Sequence, residues 1–462
     1  MNNCSNSIAV VGAGLTGLTA AHRLVQLGRR VRVFELADRP GGMIRSERDG
    51  GWLVEAGPNS LRETSPEITQ LVTSLGLDPV KTVARPEAKH RYLVRAGRLL
   101  AVPASPSELL GSKLLSFGTK ARLAAELLRR PRPRVADLSL AALAREHFGQ
   151  ELVDYAVSPI VSGVYAGDPA KLSARHAFPS LWTMEQTHGS LLRGQAAQAR
   201  ARRTAGHLSP TPVFAFSDGL ATLPRALAAA LPGGSLEFGA EVAHLQPGPP
   251  WQLTWHRGGV AHTEEFERVV LALPAAALAR LIIGPGGARP LAALGEIEHA
   301  SLTSFFLGYA RSQITHPLDG FGLLVPAVEK RSVLGVIFSS TVFAGRAPAG
   351  HIALTVLVGG TLRPDLATLA PAALLPLVQR ELAGLLGVEG DPVFERHHAW
   401  PHAIPQYNLG YERYLGAITR CEQACSGLFI GGHVRDGIGL SDCLASGLRL
   451  ADMAMADEIL PQ

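Results

Sequence analysis

The sequence predicts an α/β fold in which one parallel sheet is assembled from segments at both ends of the chain, with a mixed sheet and a helical insertion between them. Three observations predict it. Near the N-terminus the apolar run Ile8-Ala9-Val10-Val11 leads into the turn Gly12-Ala13-Gly14-Leu15-Thr16-Gly17 and then a helical pattern. Near the C-terminus Leu428-Phe429-Ile430-Gly431-Gly432 repeats the strand-to-glycine pattern and is followed by Gly437-Ile438-Gly439-Leu440 and a last helix. Between them, three- and four-residue periodicity over about residues 104–205 gives way to strands at Ser301–Tyr309, Gly322–Val325, Val333–Ser339 and Ile352–Val358.

Bulk composition agrees. A chain of 462 residues exceeds one ordinary core and suits two or three interlocked domains. Hydrophobic residues at 47% against 18% charged residues describe a globular chain, not a disordered one. Lysine and arginine total 44 against 39 acidic residues, a formal charge of +5, from which nucleic-acid binding does not follow. The basic residues cluster at Arg122, Arg129, Arg130, Arg132 and Arg134, and again at Arg193, Arg200, Arg202 and Arg203. Such a stripe suits anionic lipid headgroups or an acidic substrate; a solvated face with a Pro-Arg linker explains it equally well. Leu114, Phe117, Ala121, Ala124 and Leu128 recur at helical spacing and read as a core-facing stripe in preference to a membrane-facing one.

Cys4, Cys421, Cys425 and Cys443 have neither metal-ligand spacing nor the pattern of a disulfide framework, so a reducing compartment is expected and no metal. The N-terminus enters a strand almost at once, and no signal peptide is expected. Val269 to Gly284 is the most apolar stretch, but Pro274 and Arg280 interrupt it short of the roughly 18 residues a membrane span needs. Peripheral attachment stays open.

The N-terminal segment carries chemistry. In the predicted strand–turn–helix, Gly12 permits the tight turn, Gly14 lets backbone approach a pyrophosphate, and Gly17 lets helix and strand pack closely. Ala13, Leu15 and Thr16 complete a helix N-terminus whose free N–H groups and dipole favour phosphate. Leu18, Ala21, Leu24, Val25 and Leu27 form one face of the helix, and Gly28 ends it. The second strand, Val31-Arg32-Val33-Phe34, delivers Glu35 and Leu36 to the same edge, where a carboxylate can accept hydrogen bonds from ribose hydroxyls. A dinucleotide site follows.

Just beyond, Arg39-Pro40-Gly41-Gly42-Met43-Ile44-Arg45 resembles the extended motif of the FAD-dependent amine oxidase and desaturase superfamily. That resemblance implies non-covalent FAD, with Gly41 and Gly42 against the diphosphate and flavin. A plain glycine turn after a strand is the alternative. The turn Gly57-Pro58-Asn59-Ser60 after Trp52-Leu53-Val54 can bring backbone close to the flavin ring. Gly239 to Leu245, carrying Val242, reads as a strand rejoining the nucleotide domain, and Phe266 to Leu273 as another, before Pro274 and an alanine-rich helix.

Four internal segments make the resemblance more specific: Ser162-Gly163-Val164-Tyr165-Ala166-Gly167-Asp168-Pro169 with Lys171-Leu172-Ser173, His90-Arg91-Tyr92-Leu93, Gly320-Phe321-Gly322-Leu323-Leu324-Val325-Pro326, and Trp400-Pro401-His402-Ala403-Ile404-Pro405-Gln406-Tyr407. Together they are similar to the oxygen-dependent protoporphyrinogen and coproporphyrinogen oxidases of haem biosynthesis, over nearly the whole chain. The resemblance implies a split Rossmann-type FAD domain in three parts (1–90, 211–285, 406–462), an inserted helical subdomain (91–210) and a substrate sheet (286–405). It implies Arg91 on a substrate propionate, Phe321, Leu323 and Leu324 walling a macrocycle, and Gly163 leaving room for it. It places Trp400, Gly432, His433, Ile438, Gly439 and Leu440 at the flavin, His433 through its backbone. Taken alone, Arg91 reads as a surface arginine, and Phe321 and the leucines as core.

The activity implied is a six-electron oxidation of protoporphyrinogen IX or coproporphyrinogen III in which FAD, not a protein base, does the difficult chemistry and dioxygen becomes hydrogen peroxide. His397, His398, His402 and His433 lie near the flavin-proximal motifs and read more simply as structural than catalytic. Cys443 reads as a small buried cysteine. The partners implied are a porphyrinogen and dioxygen, with peripheral membrane contact and a homodimer compatible, and the location cytoplasmic, including the inner face of the plasma membrane. An amine oxidase or carotenoid desaturase on the same scaffold is the alternative, separated by porphyrin fluorescence. A binding protein like the GDP-dissociation inhibitors is more remote, because Glu35 and Arg39-Gly41-Gly42 are intact; a colourless purified protein would revive it.

Overall fold

A computed structural model describes residues 6–103, 105–131, 134–204 and 212–456. Cys4 and Arg132 lie outside these residues, as does the Arg202 side chain. The N-terminal unit forms as its sequence dictates: β1 (Ser7–Val11) is buried, α1 (Leu15–Gln26) follows the glycine turn, and β2 (Arg30–Glu35) lies parallel to β1. Gly28, at φ +81°, ends the helix in a backbone conformation that costs a side-chain-bearing residue more.

The parallel sheet has five strands in the order Leu428–Ile430, Arg268–Leu271, β1, β2, Leu236–Phe238. Three stretches of chain far apart in sequence therefore build one sheet. All five strands are parallel, so their carboxyl ends, and the glycine turns that follow β1 and Leu428–Ile430, gather on one edge, where such sheets bind nucleotides.

The expected strand over Gly239–Leu245 forms as Glu241–Gln246, but it does not lie in this parallel sheet. Leu236–Phe238 pairs with β2, with Val33 opposite Leu236 and Glu35 opposite Phe238. Gly239, at φ +69°, then turns the chain away, and Glu241–Gln246 enters a four-stranded sheet with Trp251–Arg257, Val260–Phe266 and Ile282–Ile283. Val242 sits partly buried in that second sheet, opposite Trp255.

The seven-stranded sheet runs Phe394–Pro405, His299–Ala310, His351–Gly359, Gly335–Ile337, Gly320–Leu324, His90–Arg95, Arg98–Ala101. Its last two strands come from a segment expected to be helical. His90–Arg95 pairs in parallel with Gly320–Leu324, which sets Gly322 opposite Arg91 and Leu324 opposite Leu93, and Arg98–Ala101 pairs antiparallel with His90–Arg95 at the sheet edge. Helix Pro371–Leu386 shares a buried cluster with Phe305, Leu307, Leu323 and Val356.

Helices occupy most of residues 106–204, but the apolar stripe expected to face the core does not. Leu114 is buried, whereas Phe117 and Leu128 are 86% and 83% exposed and Ala121 and Ala124 are also exposed. The residues that helix Phe117–Glu126 turns inward are polar: Thr119, 6% exposed, and Glu126, 2% exposed; Glu126 is the more deeply held. Its carboxylate accepts from Ser190 Oγ at 2.7 Å and Leu191 N at 2.6 Å and lies 3.0 Å from His147 Nδ1. These partners satisfy a group that would otherwise be costly to bury, and they orient the helix with its apolar side outward. Among the described residues, no helix is long and apolar enough to cross a membrane.

Candidate cofactor and substrate site

The phosphate-binding turn is built by exclusion of side chains. A Cβ on Gly12 would meet Ala272 O at 2.5 Å, and one on Gly17 would meet Gly12 O at 1.9 Å. Around Gly14 there is nothing within 4 Å, so this glycine borders open space where its neighbours border backbone. Gly14 caps α1 without any side-chain hydrogen bond to the first turn. The N–H groups of that turn stay available to an anion. Glu35 folds back onto the turn, accepting from Ala13 N at 2.7 Å and Ala37 N at 2.9 Å. Its remaining lone pairs suit ribose hydroxyls, and Leu36 beside it is 66% exposed.

Two further glycine turns close on the first. Gly41 N donates to Ala13 O, and a Cβ on Gly42 would lie 3.5 Å from Gly14 Cα. Arg39 braces this turn from within, donating to Ile44 O and Gly42 O. From the other end of the chain, Gly432 at φ +93° comes within contact of Thr16, and Gly447 of the C-terminal helix Leu440–Ala456 presses against Thr16 O. Gly14, Thr16, Gly42 and Gly432 thus converge from three segments on a cradle open at Gly14. These residues fit a bound dinucleotide.

The loops expected at the flavin are held by contacts that local sequence did not disclose. Ala56 O, at the head of the Gly57-Pro58-Asn59-Ser60 turn, accepts from Ser304 Oγ at 3.1 Å and Trp400 Nε1 at 2.8 Å. Asn59 donates back to Gly57 O. Tyr407 donates to His433 O and accepts from Gly437 N, and Tyr411 donates to Val434 O. The two tyrosines pin the Gly432–Gly439 loop, while Asp442 accepts from Gly439 N at the head of the C-terminal helix, beside Ile438 and Leu440. Tyr407 stands in a quoted motif, yet nothing in its spacing tells what its hydroxyl holds. Burial pushes the imidazoles of His433 and His299 below their ordinary range, keeping both neutral near pH 7. Burial pushes the Cys443 thiol up to about 12, so it stays protonated.

On the substrate side the Arg91 guanidinium lies 5.5 Å from the centroid of the Phe321 ring. Arg91 is exposed, and among the described residues no carboxylate pairs with it, unlike Arg95, Arg134 or Arg346. A Cβ on Gly163 would lie 2.9 Å from Leu324 Cδ2, so helix Ser158–Val164 packs closely on the same strand. Leu323 does not join them. It is 2% exposed and belongs to the core under helix Pro371–Leu386. The register of this strand is irregular between Gly320 and Gly322, with Gly322 at φ +154°.

Phe321 and Asn59, expected at different ligands, line one small cavity of about 10 Å³ together with Glu55, Ser339 and Arg346. The turn expected at the flavin and the wall expected at the substrate are therefore neighbours. Elsewhere, Asp137, His176 and Glu412 bring ligand atoms within 4.8 Å of one another, but Asp137 already accepts from Ser173 Oγ and Leu138 N.

Residues 15–455 match the family described as flavin containing amine oxidoreductase. The chain belongs to that family. Within it, the chain is 32% identical to protoporphyrinogen oxidase 2, chloroplastic/mitochondrial, of Arabidopsis thaliana, over 97% of this chain and 94% of that one. It is 30% identical to protoporphyrinogen oxidase of Homo sapiens over 98% and 99%. This flavin oxidoreductase also shares its fold with a solved chain from Exiguobacterium sp. 255-15, at TM-score 0.81 and 22% identity over 98% and 99%. Cyclohexylamine oxidase from Brevibacterium oxydans IH-35A gives 0.71 at 17% identity over 98% and 99%. The expected α/β architecture, the FAD cofactor and membership of the protoporphyrinogen oxidase group all hold for this flavoenzyme.

Proposed function

We propose that this flavoenzyme catalyses the dioxygen-dependent six-electron oxidation of a porphyrinogen, protoporphyrinogen IX or coproporphyrinogen III, to the porphyrin. The observation that carries it is Arg91: an exposed guanidinium without a carboxylate partner, 5.5 Å from the Phe321 ring on the strand pair that reaches the flavin turn. A flat apolar macrocycle bearing propionates calls for this pairing of a ring surface with a free, planar cation.

FAD supplies the two-electron oxidation and passes the electrons to dioxygen, which leaves as hydrogen peroxide. The chain's own residues bind and orient. Arg91 holds a propionate, while Phe321 and Leu324, with Gly163 against it, offer the apolar face. Leu323 supports that face from the core. The neutral imidazoles of His299 and His433 place no positive charge beside the reacting ring. The protonated Cys443 thiol supports non-covalent FAD, held by the convergent glycine turns.

In this reading, residues 1–90, 211–285 and 406–462 form the cofactor domain and 286–405 the substrate sheet, with the 90–101 hairpin reaching across from the helical segment 91–210. The exposed Phe117, Leu127 and Leu128 lie on a helical segment that also carries exposed Arg122 and Arg130. They support a peripheral contact with an anionic membrane surface, from the cytoplasmic side.

The test is turnover. Purified protein given each porphyrinogen in air should form fluorescent porphyrin faster than autoxidation, with peroxide accumulating. No acceleration with either would overturn the proposal, and the ratio of the two rates names the substrate.

A further inference from the structure

Glu55 and Arg346 lie 291 positions apart and form an ion pair at 2.7 Å, with both side chains only 2–3% exposed. The pair is a junction of three segments. Glu55 Oε1 also accepts from Leu220 N at 2.9 Å, and Oε2 accepts from Ser46 Oγ at 2.6 Å. Ser46 Oγ in turn accepts from Ala221 N, and Arg346 O accepts from Leu53 N. Gly219 leaves room for this: a Cβ there would lie 2.4 Å from Ser46 Oγ and 2.9 Å from Glu55 Oε1. Two residues after Glu55 the flavin-facing turn begins, and Arg346 follows the segment carrying Ser339 and Phe343 of the substrate sheet. Arg346 lines the cavity shared by Asn59 and Phe321, and its Nη2 is buried with no protein acceptor.

Apolar packing alone would tolerate sliding between these segments. A desolvated pair is different, because displacing one of its directional partners leaves a buried charge uncompensated. We propose that Arg346 is a positioning residue, acting through Glu55 to set the Gly57–Ser60 turn against the Phe321 wall, and so the flavin against its substrate. This rests on the function proposed above. It assigns the pair to the step in which substrate meets flavin, and not to the return of electrons to dioxygen.

The experiment uses holoenzyme with FAD content measured: wild type, Arg346→Lys, Arg346→Gln and the double variant Arg346→Gln/Glu55→Gln. Flavin bleaching by the preferred porphyrinogen without oxygen is compared with reoxidation of dithionite-reduced enzyme by dioxygen, and visible circular dichroism of the bound flavin and thermal midpoints are recorded. Bleaching at saturating substrate should slow about 10- to 100-fold in Arg346→Lys, since small misplacements cost that much in rate. Reoxidation should stay within about twofold of wild type, because it needs no substrate wall. The flavin dichroism should change. The double variant should melt above Arg346→Gln, having no unpaired buried charge, and still bleach slowly.

Bleaching at the wild-type rate in the folded variants would overturn the proposal. So would loss of FAD throughout, or equal slowing of both half-reactions, either of which would reduce the pair to a folding element. If no porphyrinogen bleaches the wild-type flavin, the functional reading fails and this proposal with it; normal wild-type bleaching beside unaffected variants sinks the proposal alone.

Discussion

Gly432 and Thr16, 416 positions apart, meet at the cofactor cradle: a Cβ on Gly432 would lie 3.6 Å from Thr16 Oγ1. The first and last glycine turns of the chain thereby adjoin, and if they bind the cofactor as proposed, substitutions within them should separate into those that damage the protein and those that damage only its ligand site.

Gly14→Ala and Gly17→Ala should divide in this way. Gly14 has ordinary φ and nothing within 4 Å of a Cβ, so the alanine protein should fold with unchanged far-ultraviolet dichroism. It should lose FAD affinity by at least about tenfold, the equivalent of about 1.4 kcal/mol. Gly17→Ala must displace Gly12 O, and should destabilise the protein itself by about 1–3 kcal/mol or more. Chemical denaturation with and without FAD checks both; equal behaviour of the two variants would contradict the assignment.

Arg91→Ala should raise the apparent KM for the porphyrinogen about tenfold or more, as expected for loss of one charge-assisted contact. Its kcat should change less, and its thermal midpoint hardly at all, because the side chain is exposed and makes no ion pair among the described residues. Arg91→Lys should recover only part of the loss, lacking the planar fork. Unchanged kinetics in Arg91→Ala would remove the propionate assignment.

Acid should destabilise the fold in a defined window. His22, 7% exposed and with no partner for Nδ1, joins His299 and His433 in having its pKa lowered, first by desolvation. In each case the unfolded chain binds a proton at a higher pH than the native one. Stability is therefore fully present above about pH 6.5, the unfolded value, and falls as pH drops towards the lower native values. Thermal midpoints from pH 8 to pH 5 should decline below about 6.5, and His22→Gln should flatten that decline. A flat profile over this range would refute it.

Phe117→Glu with Leu128→Glu should leave stability within about 0.5 kcal/mol, since both side chains are exposed. It should abolish co-sedimentation with anionic vesicles, and high salt should weaken the wild-type association. Vesicle binding equal to wild type would remove this helix from the membrane contact.

By itself the sequence determined the features whose cause is local. A glycine turn between an apolar strand and an amphipathic helix forms because each residue's neighbours require it, so β1, α1, β2, Glu35 and the Gly431-Gly432 turn were legible before any coordinates. Only the tertiary structure decided features whose cause is distant. Leu236–Phe238, too short to announce itself, takes the place beside β2, and Gly239 then turns the chain so that Glu241–Gln246 enters a second sheet. Leu323 and Leu324 look alike in sequence, but as neighbours on one strand they face opposite ways, and only the packed layers decide that one face is the core under helix Pro371–Leu386 and the other lies beside Gly163. The Phe117 stripe has the spacing of a core helix and lies outside, because Glu126 finds Ser190, Leu191 and His147 within. Arg346 and Glu55 carry no common motif, and their pairing exists only once three segments are folded together. Periodicity reports that a side chain has a face; what that face meets is a long-range property, and the buried polar partners decide it.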